Sequence, residues 1–173
     1  MCEKRYEDII EDLREKYRPK EIRVLFVAES PPKPSDTQEV RFFYNKNTVL
    51  YYATFIAFHR VYSIKEEEFL TMFQKLGCYL YDLLPAGRSW RGVGVDERNR
   101  ALDKLSRFVR GNKPRLIVVV FKSRIARVIE KKLKDYNVKS LYFPTQRNID
   151  KYVEGLEEVL SDAIANNILP RTL

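Results

Sequence analysis

Histidine and cysteine are nearly absent from this chain. Its 173 residues include one histidine, His59, and two cysteines, Cys2 and Cys78. Two cysteines cannot fill a four-cysteine zinc or iron–sulfur site, and they leave no basis for a disulfide framework. No metal and no cofactor are therefore expected. The lone histidine sits inside an apolar segment and reads as a core or boundary residue rather than a catalyst. Long hydrophobic runs are also missing. The most apolar helix, Thr48 to Tyr62, contains His59 and Arg60 and is too short to span a bilayer. The charged N-terminus carries no secretory signal pattern, so the expectation is a cytoplasmic protein with no membrane partner. No internal repeat and no low-complexity segment is found.

What is abundant is positive charge. Lys and Arg number 32 against 24 Asp and Glu, a net charge of +8 with an isoelectric point near 9.4. That balance favours anionic partners, nucleic acid first; the plainer reading is a surplus of solvated surface lysines. The length suits one domain, 1–173, with an N-terminal helix within 1–20 and a core over 21–165.

The first buried strand is Ile22 to Ala28. It ends in Glu29-Ser30-Pro31-Pro32, because proline cannot donate to a ladder. Before it, Tyr6, Ile9, Ile10, Leu13 and Tyr17 repeat at helical spacing, predicting a helix from Cys2 to Tyr17. Glu29 to Asn47 shows no period. A loop of that length in a compact chain is usually functional or disordered, and its cluster Arg41-Phe42-Phe43-Tyr44-Asn45 argues against disorder. Thr48 caps a predicted helix to Tyr62, and Ser63 another over Lys65 to Leu76. A second strand, Tyr79 to Asp82, leads into a loop with Arg88, Trp90 and Arg91. Asp96 caps a helix to Arg110. Leu116 to Phe121 is a third strand, Ser123 opens a helix to Tyr136, Val138 to Phe143 is a fourth strand, and Asn148 opens the last helix. Strands separated by helices predict a parallel sheet covered on both faces. The strand ends then converge: Glu29-Ser30, Asp82, Phe121-Lys122 and Pro144-Thr145-Gln146, where open α/β sheets bind ligands.

Ala28-Glu29-Ser30-Pro31-Pro32 after the first strand, the Phe-Phe-Tyr cluster soon after it, and Phe143-Pro144-Thr145-Gln146 after the fourth resemble the uracil-DNA glycosylase superfamily, over roughly Ile22 to Leu160. The resemblance implies a three-layer α/β/α sandwich around a four-stranded parallel sheet. It implies hydrolysis of the N-glycosidic bond of a damaged, deaminated base flipped out of DNA. It gives Glu29 or Ser30 the attacking water, Phe43 the stacking platform with Phe42 and Tyr44 beside it, and Asp82 the base edge, with Asn45 next to the base. Thr145, Gln146 and Arg147 would face the minor groove. Three departures stand out. Phe143 replaces the family's histidine, Asp82 replaces its asparagine, and two cysteines cannot hold the cluster of the branch that Glu29 most resembles.

Breaking a glycosidic bond builds positive charge on the sugar, which a carboxylate such as Glu29 stabilises while orienting water. The alternative for Glu29 is a cap or an ion pair. Asp82 either accepts from an exocyclic amine, is protonated by burial, or is a capping or salt-bridged aspartate. Arg41, Arg88, Arg91, Lys122, Arg124 and Arg147 are candidate phosphate contacts, and Trp90 and Gln146 candidate probes of the duplex. The expected partner is DNA, double- or single-stranded, bound by a monomer. The rivals are a catalytically inactive nucleic-acid-binding member of the fold and a hydrolase of free nucleosides or nucleotides.

Overall fold

A computed structural model describes residues 5–36, 39–121 and 123–173. Lys122 and Cys2 lie outside the described residues. The fold is a parallel four-stranded sheet in the order β2-β1-β3-β4, formed by β1 (Val24–Ala28), β2 (Cys78–Asp82), β3 (Leu116–Val120) and β4 (Val138–Leu141). Every residue of β1 and β3 is buried, as expected for central strands covered on both faces. The helices are α1 (Tyr6–Tyr17), α2 (Val49–Tyr62), α3 (Phe69–Lys75), α4 (Val95–Asn112), α5 (Arg124–Lys132) and α6 (Ile149–Ala165). From β1 the chain turns to β2 through α2 and α3, then reverses through α4 to β3 and α5 to β4. Right-handed crossovers put α2 on one face and α4 and α5 on the other, and α6 returns to pack along α2. This is the expected three-layer α/β/α sandwich. Among the described residues no helix is long and apolar enough to cross a membrane.

Aromatic rings fill the layer under α2. Phe26 of β1 packs on Phe58 and Phe73, and Phe69 joins both. Thr54 of α2 and Tyr152 of α6 share a buried hydroxyl hydrogen bond of 2.9 Å. His59 is exposed rather than part of the core or its boundary, with its Nδ1 2.7 Å from the Ile64 carbonyl oxygen. Burial pushes the Cys78 thiol up, so it is inert at neutral pH.

Several boundaries differ from expectation for local reasons. Ser63 does not open a helix. It closes α2 in the left-handed region (φ 56°), its N–H bonded to the His59 carbonyl. The stretch after it divides into a 3-10 turn, Glu66–Glu68, and the short α3. Gly94, not Asp96, precedes α4; Asp96 and Glu97 lie in its first turn, where negative charge complements the helix dipole. α4 runs two residues past the expected Arg110, to Asn112. α5 ends at Lys132, short of Tyr136, and β4 ends at Leu141, which leaves Tyr142 and Phe143 exposed beyond the sheet.

Candidate functional site

The chain beyond β1 is tied to the chain beyond β2. Parallel pairing sets Ala28 opposite Asp82, and the ladder continues past both strands. Leu83 N–H donates to the Ala28 carbonyl at 2.9 Å, Leu84 N–H to Glu29 at 2.8 Å, and Gly87 N–H to Pro31 at 2.9 Å. Ser30 Oγ donates to the Arg88 carbonyl at 2.6 Å. Gly87 makes this approach feasible. Its φ is +70°, and a Cβ there would lie 3.2 Å from Lys33 side-chain carbons.

Glu29 is half-buried at this junction. Its Oε1 accepts the Trp90 backbone N–H at 2.6 Å, a short charge-assisted bond that orients the carboxylate. Oε2 has no protein partner among the described residues. Trp90 does not project to probe a duplex. It is 9% exposed, with Arg98 lying over its ring at 5.3 Å and bonded to its carbonyl.

The aromatic cluster divides. Phe42 and Phe43 line a cavity of about 350 Å³ at the carboxyl end of the sheet, with Ala28, Leu50 and Leu80. Phe43 is only 3% exposed and is wedged against Tyr44, Tyr51 and Phe73 at 5.1, 5.9 and 5.5 Å, so it is a fixed wall. Tyr44 does not reach the cavity. It is 1% exposed, and its hydroxyl accepts the Leu80 N–H of edge strand β2 at 2.8 Å, blunting an edge that would otherwise stay open. Burial raises its pKa well above the ordinary value. Asn45 is also elsewhere: its Nδ2 donates to the Val40 carbonyl at 2.6 Å. With Asn47, which bonds Phe42 N–H and the Val40 carbonyl, it braces the loop that presents Phe42 and Phe43.

Asp82 is the buried carboxyl of the site. Its side chain is 3% exposed and its Oδ2 accepts from Arg14 of α1 at 2.8 Å. Arg14 also pairs with Glu11 and lies 5.4 Å over the Phe42 ring. Burial lifts the Asp82 carboxyl above its usual range, and Arg14 opposes that rise. Asp82 also borders a second cavity, about 220 Å³, which Arg14 lines together with Glu7, Glu11 and Lys104. Tyr6 of α1 donates to the Pro32 and Arg41 carbonyls at 2.9 and 3.2 Å, so α1 holds both ends of the loop. Arg14 went unnoticed in the sequence. The available signal was its spacing: it follows the inward Ile10 by one helical turn, and so places a charge on the buried face.

The fourth strand end contributes least. Thr145 lends its N–H and Oγ1 to Asn148 Oδ1 at 2.6 and 2.8 Å, closing a turn before α6. Thr145, Gln146 and Arg147 are exposed and do not line the cavity. Phe143, 45% exposed, reaches its rim. Of the basic candidates, Arg88 lines the cavity, paired to Glu97 at 2.9 Å; Lys33, which was not among them, lines it as well. Arg41, Arg91, Arg124 and Arg147 are exposed outside it. Among the described residues, no group of three His, Cys, Asp or Glu side chains is placed to hold a metal.

The arrangement is a pocket of ligand size, walled by aromatic rings and carrying two carboxylates with one unengaged oxygen each. It can stack a flat ring and accept hydrogen bonds from it. No family model and no curated protein matches the chain.

Proposed function

We propose that the protein is a base-excision-type DNA-binding protein of the uracil-DNA glycosylase kind, which takes a flipped modified base into the cavity and hydrolyses its N-glycosidic bond. The observation that carries this reading is the juxtaposition of Glu29, held by the Trp90 amide, with an aromatic-walled cavity that the buried Asp82 also lines. Flipping a base costs a few kcal/mol, and stacking on an aromatic wall returns roughly 1–3 kcal/mol. The surplus of positive charge supplies the attraction to phosphate.

In this mechanism Glu29 Oε2 takes a proton from water as the water oxygen bonds to the anomeric carbon. The glycosidic C–N bond breaks and its electron pair leaves on the base. The only histidine, His59, is held against the Ile64 carbonyl and does not line the cavity. The base therefore departs without imidazole, which favours bases that are good leaving groups.

The test is a panel of oligonucleotides carrying uracil, hypoxanthine, xanthine, 5-substituted pyrimidines, alkylated purines and an abasic analogue, incubated with wild type and Glu29→Gln. Abasic product from at least one member, lost in Glu29→Gln, supports the reading. Tight, salt-dependent binding with no product from any member favours a catalytically inactive nucleic-acid-binding protein. Turnover of free nucleosides without duplex binding favours a nucleoside hydrolase.

A further inference from the structure

We infer that the outer face of α4 and α5 is a separate contact surface for nucleic acid, a track for the phosphate backbone that leads away from the cavity. The inference goes beyond the excision reading: it concerns a different face and holds whether or not the cavity takes a base. It starts from where the surplus positive charge sits. In α4, Arg100, Lys104, Arg107 and Arg110 follow one another at spacings of four, three and three, which sets them along one side of the helix. Ala101, Leu102, Leu105 and Val109 take the buried side, and all four cations are exposed. α5 repeats the pattern. Arg124, Arg127 and Lys131 are exposed at spacings of three and four, with Ala126 and Ile129 buried. The two helices lie side by side, joined by Lys132 of α5 and Asp103 of α4 at 2.7 Å. Asp103 stands one turn from both Arg100 and Arg107, so this bond engages the carboxylate closest to them in the helix. Among the described residues none of the seven cations stands in an ion pair. Like charges at helical spacing repel one another, and a polyanion laid over them removes that repulsion.

The layer across the sheet has the reverse sign. α6 carries Asp150, Glu154, Glu157, Glu158 and Asp162 against one cation, Lys151. A surplus of solvated lysines has no reason to sort itself by layer. Sorted, it gives a polyanion one face to approach and another that repels it. Five of the seven cations are arginines, whose planar fork matches phosphate. A lipid surface would also take apolar side chains between the cations. On these two helices the exposed large apolar residues are only Val95, at the start of α4, and Val128. The reach also suits a nucleic acid. α4 has 18 residues and is about 27 Å long, the rise of about eight base pairs. It begins just after the Trp90–Gly92 turn, close in the chain to Arg88 and Ser89, which line the cavity. The track therefore starts beside the cavity and runs toward the opposite end of the sheet. None of the seven cations lines the cavity itself. Lys104 borders the second cavity with Glu7 and Glu11, so the test leaves it unchanged.

The experiment is fluorescence anisotropy of an undamaged DNA duplex of two helical turns, titrated with the full chain at a series of salt concentrations. A track variant, Arg100→Gln/Arg107→Gln/Arg127→Gln/Lys131→Gln, is compared with one that loses the same charge elsewhere, Lys20→Gln/Lys65→Gln/Lys75→Gln/Arg171→Gln, all at exposed positions. If each track residue neutralises one phosphate, the slope of log affinity against log salt becomes shallower by about 3.6 in the track variant, at about 0.9 per residue, and by about 1 or less in the other. Should the track variant fail to fold by circular dichroism, Arg107→Gln alone should make the slope shallower by about 0.9. Equal changes in the two variants overturn the inference, because binding would then follow net charge and not the α4–α5 face. Absence of duplex binding by wild type overturns it too. So does binding to phosphatidylserine vesicles without binding to the duplex, which would give the face to a membrane. The excision reading stands or falls separately, on abasic product from the oligonucleotide panel.

Discussion

The chain past β1 and β2 and the chain past β4 end at the same side of one sheet, yet they are built differently. Beyond β1 and β2, two segments are laced together by backbone bonds and enclose a cavity, and their polar side chains keep one oxygen each unengaged. Beyond β4, the polar groups of Thr145 and Asn148 satisfy one another, and only the Phe143 ring turns toward the cavity. Position at a strand's carboxyl end thus permits a site but does not make one. What separates the two regions is whether the hydrogen-bonding capacity left over lines an enclosed cavity.

The contrast can be broken most sharply at Glu29. If the excision reading holds, Glu29→Gln lowers the excision rate by about 10²- to 10⁴-fold, whereas Thr145→Val changes it less than about twofold; comparable losses would place the chemistry in both regions. A smaller but still large effect is expected on stability. Arg14→Met leaves Asp82 buried without its partner and should cost about 3 kcal/mol in urea unfolding. A neutral result would mean that Asp82 relaxes into solvent.

The sign of the pH dependence follows from the same pair. Burial raises the Asp82 pKa above its ordinary 3.8, so from 3.8 upward to that raised pKa the folded state binds its proton more tightly than the unfolded chain does. Asp82's contribution to stability therefore grows as pH falls through that window and is lost as pH rises. Measured against Asp82→Asn by urea midpoints at pH 7.5 and 4.5, wild type should gain relative stability at the lower pH; a relative loss would indicate that ion pairing outweighs burial. Gly87→Ala should cost about 1–2 kcal/mol because of its left-handed φ, while a glycine-to-alanine change in the exposed stretch at Gly94, with open space around its Cβ, should be near neutral. The smallest effect concerns phosphate contact. Arg91→Ala, at an exposed arginine, should reduce the salt slope of DNA binding by about 0.9 if it neutralises one phosphate, with affinity falling equally for every sequence.

The sheet was largely readable from the chain because β1 and β3 are uninterrupted apolar runs with clear stops. Glu29 was readable for the same reason: a carboxylate directly after such a run has few places to go. The division among Phe42, Phe43 and Tyr44 was not readable. The segment has no period, and which ring meets the cavity depends on where α1 and β2 sit against it. Arg14 was hidden more deeply, since its partner Asp82 is 68 residues away and helical spacing marks only that a charge faces inward. Ser63 shows the local version of the problem, because the same residue type serves at either end of a helix and only φ distinguishes them.

The most direct test of the cavity at the β1 and β2 ends is the fluorescence of a single 2-aminopurine, opposite a mismatched base, in duplex DNA. Base stacking quenches this probe. Binding of the protein, followed in parallel by anisotropy, should raise the emission as the base leaves the stack, and Asp82→Asn should blunt that rise. Saturated binding with no change in emission would contradict the claim that this cavity receives a base.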